Sequence, residues 1–494
     1  MRSERSGLLR QHSVSNVLGI SPYSIRRLLL VACCILGVVL YGLVAVFGVL
    51  SKDVESYYGL TADEASELYS WMNIGSCVFS FLPGLCFDKL GAVVTMVIGT
   101  LLGLSPLMMQ LLCGRTFPLS TMPTLAFCYF CFGLAVTFYS MVGSFAPLSA
   151  FRKRDSGKVS ALVQLSMSLG ITVQSFAYKE LKSLGGDFMH TYFVYAFCAT
   201  AICGVLLIVI LWVCKPLFEL KKRQNDLVDQ LTQTTVFFLP DGIDESHHTT
   251  DPVVTSEISV EAEEETGASR GLAAAPARCA APPLQEVPSV WEQVKTSDFI
   301  FLSFLFLLPI GFSFSYLDVT SELAQQASVS ATLLDTQFGI FNSVGRVATS
   351  LPLDYTQHHP VGGANTYILA SVIVFSMGLM LLVLPVCEVF GDKSTVFVSS
   401  AIMAVGYGGM LGIIPPALRI RFGTANLGVL YGILYIFVGI AVVAWGDLAK
   451  TAEGCKGVEC FRFYTGGGIL GCAICIGAGV AKVIQDVRKK RAPS

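Results

Sequence analysis

Apolar residues fall in twelve long runs, at 28–50, 66–87, 92–113, 123–150, 158–181, 191–214, 299–321, 333–353, 365–387, 395–418, 427–448 and 464–484. A helix needs about 20 mostly apolar residues to cross a bilayer. Only helices and closed barrels satisfy their backbone polar groups in lipid. The pattern therefore predicts an all-α membrane protein with twelve transmembrane helices. Runs one to six lie within 28–214 and runs seven to twelve within 298–485, two stretches of nearly equal length. That equality predicts two pseudo-symmetric six-helix bundles. A polar tail (1–27), a central segment (215–297) and a basic tail (486–494) complete the chain.

Composition agrees with lipid as the solvent. Only 14% of residues are charged, and the mean hydropathy of +0.65 is too high for a soluble chain of this length. The net charge of −2 points to no nucleic-acid partner, so the distribution of charge has to set the topology. With both termini inside, the short inner loops and tails carry roughly twice the Lys and Arg of the outer loops, as the positive-inside rule requires. An even number of spans also demands that the ends share a side. Both termini are therefore expected in the cytoplasm. No Asn-x-Ser/Thr acceptor occurs, so glycosylation does not distinguish the plasma membrane from an internal one.

The central segment changes character twice. Leu217–Leu231 is amphipathic, with Lys221, Lys222 and Arg223 among leucines, and reads as a helix on the inner leaflet. Beyond it, 257–265 is acidic and 271–288 is Ala/Pro-rich. Such stretches bury no core and are expected to be disordered. Most of the sixteen cysteines sit inside apolar runs, where cysteine packs as a small hydrophobe. Cys455 and Cys460 fall in the last outer loop, where a disulfide and two free thiols are both open readings.

Two marks recur at matching places in the halves. The second run ends Gly84-Leu85-Cys86-Phe87-Asp88-Lys89-Leu90-Gly91, and the eighth ends Ser350-Leu351-Pro352-Leu353-Asp354. In both, a small residue precedes an Asp by four positions and shares its helix face. The small residue permits close approach of a neighbouring helix. The Asp is placed to face the positive N-terminal end of another helix. Arg152, with Lys153 and Arg154, follows the fourth run, and Arg419 and Arg421 follow the tenth. Together these charges are expected to clasp the halves on the inner side.

Gly84-x-x-x-Asp88-Lys89-x-Gly91 resembles the inner-loop signature of the major facilitator superfamily. The resemblance implies a twelve-helix fold, a charge clasp on the cytoplasmic side and transport by alternating access. The usual Arg-rich continuation is replaced here by Ala92-Val93-Val94. Further patches resemble the nodulin-like and monocarboxylate (oxalate/formate-type) branch. They are Asn73-Ile74-Gly75, the Gly157–Leu162 opening of the fifth run, Phe341–Arg346, and Gly406-Tyr407-Gly408-Gly409 through Gly428-x-Leu430-Tyr431-Gly432. A branch of large neutral amino-acid carriers matches runs two to six about as well.

Ionisable residues deep in a span are costly and mark function by default. Arg346 is the strong candidate. It lies eight residues before Asp354, about 12 Å along a helix of ~1.5 Å rise per residue. That depth is near the midplane, where carriers bind between repeats. Its guanidinium keeps its charge and can grip a carboxylate through two parallel bonds. Asn342, four residues earlier, shares its face. The competing reading pairs Arg346 with Asp354 or with helix carbonyls. Weaker cavity candidates are Asn73, Gln164 and Gln174, whose amides need partners in lipid, and Tyr41, Tyr316 and Tyr407. Gly143 and Pro147 in the fourth run, and Gly408, Gly409 and Pro415 in the tenth, are candidate hinges.

No cofactor or metal is indicated, and no Gly-x-x-x-x-Gly-Lys-Ser/Thr phosphate cradle is present, so an enzyme is not expected. The expected partners are the lipid bilayer, a small-molecule substrate and, where transport is coupled, a proton. Asp318, Glu322, Glu67 and His190 all lie near outer ends. That scarcity of central acids leans slightly toward facilitated diffusion or exchange. The reading is a secondary active or facilitative transporter of a small organic solute, a monocarboxylate-like anion first. An amino-acid carrier and a transporter-derived membrane sensor are the alternatives.

Overall fold

The computed structural model describes residues 22–45, 47–113, 122–185, 187–237, 288–356, 359, 362–383, 392–449 and 462–491. The Cys455–Cys460 pair and residues 238–287 of the central segment lie outside them. The chain divides into two compact units, 1–222 with 288–494, and 223–287. Of the second unit, 223–237 are described and are helical. The first unit is helices joined by turns and short loops, with no strand among its described residues.

We number the long helices α1 (22–45 with 47–58), α2 (62–90), α3 (92–113), α4 (Met122–Ala150), α5 (Ser156–Ser183), α6 (Phe188–Phe237), α7 (297–326), α8 (Ala331–Thr356), α9 (Ala364–Val383), α10 (Asp392–Phe422), α11 (Leu427–Ala449) and α12 (Arg462–Arg491). The twelve runs of the sequence thus correspond to twelve helices. No long loop separates α2 from α3. The chain turns at Gly91, whose φ of 84° is open to glycine and costly for other residues. The helix begun at Phe188 runs to Phe237, so the amphipathic 217–231 stretch is helical.

Starts are set locally. Thr61 accepts the Glu64 N–H at 3.3 Å while Glu64 accepts the Thr61 N–H at 2.8 Å, a capping box that opens α2. Thr296 caps α7 by accepting the Phe299 N–H at 3.2 Å. Among the described residues ten segments are long and apolar enough to cross a membrane, with α2 and α3 counted together. The helix below that threshold is α8, which carries Asp335, Gln337, Asn342 and Arg346.

Burial sorts the helices. The apolar windows of α4 and α10 are 72% buried, whereas those of α6 and α12 are 28% buried. α4 and α10 are therefore central, and α6 and α12 present leucine, isoleucine and valine outward, as lipid-facing helices do. Two cores result: one from residues of 25–214, the other almost wholly from residues of 299–475. They meet along two seams, α5 on α8 and α2 on α11.

Regular helix gives way to wider π-type turns at Gly37–Tyr41 in α1, Ile74–Val78 in α2 and Phe306–Ile310 in α7. Such turns concentrate at functional sites. α4 and α10 run unbroken past Gly143, Pro147, Gly408, Gly409 and Pro415.

Candidate functional site: two seams and a buried arginine

The seams are built twice by the same device. In α2, Gly84 packs directly on the Gly428 backbone of α11. One turn later Asp88 accepts the Gly428 N–H at 3.1 Å and the Val429 N–H at 2.8 Å. In α8, the Ser350 carbonyl packs on Gly157 of α5, and Asp354 accepts the Gly157 and Lys158 N–H groups at 2.7 and 2.8 Å. The first N–H groups of a helix have no partner within it, and its N-terminal end attracts negative charge. Each acid therefore caps a helix of the opposite half. Burial pushes the Asp354 carboxyl above the usual carboxylate range, and the two N–H groups and Lys158 pull it back.

Of the arginines expected to clasp the halves, Arg419 bridges them and Arg421 bonds within its own half. Arg419, buried in α10, donates to Ser156 Oγ at 2.8 Å and to the Phe151 carbonyl at 3.0 Å, both in the other half. Arg421 donates to Asn365 Oδ1 within its own half. Arg152 and Lys89 are exposed. Asp88 and Asp354 meet backbone N–H groups because the starts of α11 and α5 lie within hydrogen-bond reach.

Hydroxyls continue the seams toward the middle. Ser80 donates to the Gly432 carbonyl at 2.6 Å, Ser160 to the Gly412 carbonyl at 3.1 Å, and Ser168 and Ser343 share a bond of 2.7 Å. All of them join opposite halves.

Arg346 lies at that level, 3% exposed. Its Nε donates to Asn342 Oδ1 at 3.1 Å. Its Nη1 donates to Gln164 Oε1 and, at 3.4 Å, to the Gln164 carbonyl. Gln164 is oriented by donating its amide to Ser144 Oγ at 3.0 Å. Of the competing reading, the pairing with Asp354 does not form, since that carboxylate is committed to α5, while the contact with a helix carbonyl does, at Gln164. Among the described residues no carboxylate contacts Arg346. A buried cation with neutral partners alone costs on the order of several kcal/mol, a cost that a bound anion offsets.

An aromatic wall surrounds the guanidinium. The Tyr41 hydroxyl, at the end of the π-type turn of α1, faces Arg346. Tyr407 of α10 also faces it, packed on Phe338 at 5.8 Å and Phe314 at 6.1 Å between ring centroids. Tyr431 and Tyr435 of α11, with hydroxyls 3.2 Å apart, complete the group. These last two are readable in the sequence only as one patch residue and one ordinary aromatic. Nothing in linear order announces that α11 turns both toward α8.

Other candidates lie elsewhere. Gln174 spends its amide on the Val39 carbonyl at 3.1 Å and on the Tyr195 hydroxyl at 2.9 Å, inside one half. Asn73 is buried where α2 enters its π-type turn. Tyr316 is buried against Phe338, at 6.1 Å, with its hydroxyl facing Ser400 of α10. Glu67 accepts the Trp71 indole N–H at 3.3 Å.

Residues 29–446 match the Major Facilitator Superfamily, and the chain belongs to that family of multi-pass membrane proteins. It is similar to a protein described as probable transporter mch1 of Emericella nidulans, with 24% identity over 140 residues. That match covers 26% of this chain and 22% of the relative's length. Among solved structures, the proton:xylose symporter XylE bound to 6-bromo-6-deoxy-D-glucose aligns with a TM-score of 0.60 and 12% identity, over 92% of this chain and 96% of that one. A partially occluded inward-open form of the xylose transporter XylE from E. coli aligns with the same score and identity over 91% and 97%. At this identity the likeness concerns the fold. The family is the Major Facilitator Superfamily and the fold is one that solved transporters adopt. They reach the superfamily and not its nodulin-like or monocarboxylate branch.

Proposed function

We propose that this chain is a secondary transporter of a small organic anion, a monocarboxylate first, moved by alternating access between the two halves. The observation that carries the reading is Arg346, a buried guanidinium bonded only to neutral oxygens, at the level where the halves meet. A substrate carboxylate would supply the missing negative charge through charge-assisted bonds. The tyrosine wall would accept the rest of a small, partly apolar molecule. Asp88 and Asp354 would latch the face that carries both chain ends, which the charge bias favours as cytoplasmic. Breaking that latch would let the halves tilt to expose the site on that side.

The test is counterflow in proteoliposomes loaded with unlabelled pyruvate, lactate or leucine and offered the labelled compound. Exchange of pyruvate or lactate that disappears in Arg346→Ala supports the reading. Exchange restricted to leucine moves the substrate class to amino acids. Intact anion exchange in Arg346→Ala removes Arg346 as the anchor. Binding without flux marks a sensor.

A further inference from the structure

Asp335 is a charged residue of the α8 interior that the seams and the arginine site leave unused. Asp335, Phe338, Asn342 and Arg346 follow one another at spacings of three, four and four, so they form one stripe of α8. The stripe faces α7 and α10, because Phe338 packs on Tyr316 of α7 and Tyr407 of α10. Asp335 sits about 16 Å beyond Arg346 along the axis at ~1.5 Å per residue, away from the Asp88–Asp354 face.

Its surroundings are polar. Asp335 lies close enough to Tyr316 to act on it electrostatically. The Tyr316 hydroxyl and the neighbouring Ser400 hydroxyl of α10 are buried facing one another, with no further partner among the described residues. Asp335 itself is half-buried. Among the described residues it has no hydrogen bond and no ion pair, and no charged group acts on it; Lys393, at the start of α10, is exposed and contributes nothing. Among the described side chains, the titratable group facing it is Tyr316 from α7, and α10 contributes the Ser400 hydroxyl beside Tyr316. A carboxylate taken from water without a cation or a donor is stabilised by accepting a proton or by drawing water in.

A movable element is attached. The part of α7 that carries Tyr316, Gly311–Gln326, stands on the π-type turn Phe306–Ile310, which contains Pro309. Pro removes a helix hydrogen bond and allows bending at that point. The same part of α7 touches the far end of α1, Phe47–Tyr58, so it bridges the two halves at the face opposite the Asp latches.

We propose that Asp335 is a proton-operated switch of this far gate. With a proton on its carboxyl, the Gly311–Gln326 part of α7 docks Tyr316 against α8 and α10. When the proton leaves, the carboxylate recruits water and the same part of α7 loosens about its π-type turn. The proton enters from and returns to the far face, so the switch regulates opening and carries no stoichiometric proton with the substrate. The switch requires the two-half fold but no particular substrate, so its test is independent of the anion reading.

Hydrogen–deuterium exchange of the purified full chain reads the switch directly. With rates corrected for their intrinsic pH dependence, peptides covering 311–326 are expected to gain protection as the buffer is made acid. Asp335→Asn, which mimics the protonated side chain, is expected to hold that protection at every pH. Asp335→Glu is expected to restore the pH dependence. Peptides from α4 serve as an internal control for folding and should not change. Equal protection of 311–326 at acid and alkaline pH in the parent chain overturns the proposal. So does an Asp335→Asn protein that still follows pH as the parent does.

Discussion

Asp354 and Gly157 stand 197 positions apart and in different halves, yet Asp354 Oδ1 accepts the Gly157 N–H at 2.7 Å. The bond repeats, by pseudo-symmetry, between Asp88 and Gly428. Each half thus lends an acid to cap a helix of the other, and the small residue one turn before that acid lets the two backbones close.

Removing one cap should release its seam. Loss of an N-cap costs about 0.5–2 kcal/mol. Asp354→Ala is expected to shift the protein by that amount toward opening at the face of the chain ends. A cysteine introduced at Ser160, buried in the α5 seam, should then be alkylated faster than in the parent. Unchanged alkylation would show that the cap holds nothing closed.

The arginine site allows a sharper change than its deletion. Gln164→Glu keeps the size of the side chain and gives Arg346 the carboxylate that it lacks. An internal anion should displace the external one, and anion exchange should fall by roughly the 10–100-fold that a charge-assisted hydrogen bond of about 1.5–3 kcal/mol represents. Gln164→Leu, which leaves the guanidinium without that partner and without a rival anion, should retain more exchange than Gln164→Glu. The reverse order, measured by counterflow, would contradict an anion at Arg346.

Gly84 tests the close approach of α2 and α11. A Cβ there would stand 2.5 Å from the Gly428 carbonyl carbon, with backbone on both sides and no side chain to yield. Gly84→Ala should cost about 1–3 kcal/mol, as overpacking does. The loss should appear as a lower unfolding temperature in detergent. Gly91→Ala, where space is open but φ is positive, should act on the α2–α3 turn alone and leave the seam intact.

Gly408 separates contact from bending. A Cβ there would collide with the Asn342 carbonyl oxygen and lie 2.7 Å from Asn342 Oδ1, the atom that holds Arg346 Nε, so Asn342 must shift. Gly408→Ala is therefore expected to raise the KM for substrate more than it lowers the maximal rate. A fall in rate at constant KM would instead favour a hinge in α10.

The sequence alone determined the solvent and the plan. Twelve apolar runs in two equal sets leave one economical solution, because in lipid every backbone polar group must be satisfied within its own helix, and that demand is written residue by residue. The small-x-x-x-Asp marks and the depth of Arg346 were legible for the same reason, since both follow from spacing along a single helix. Partnership was not legible. That Asp88 and Asp354 cap α11 and α5, that Gln164 turns to Arg346 while Gln174 turns to Val39, and that Tyr431 and Tyr435 join Tyr41 around one guanidinium all depend on contacts between helices remote in sequence. Helical periodicity specifies which residues share a face, but only the packing of the two halves decides what that face meets.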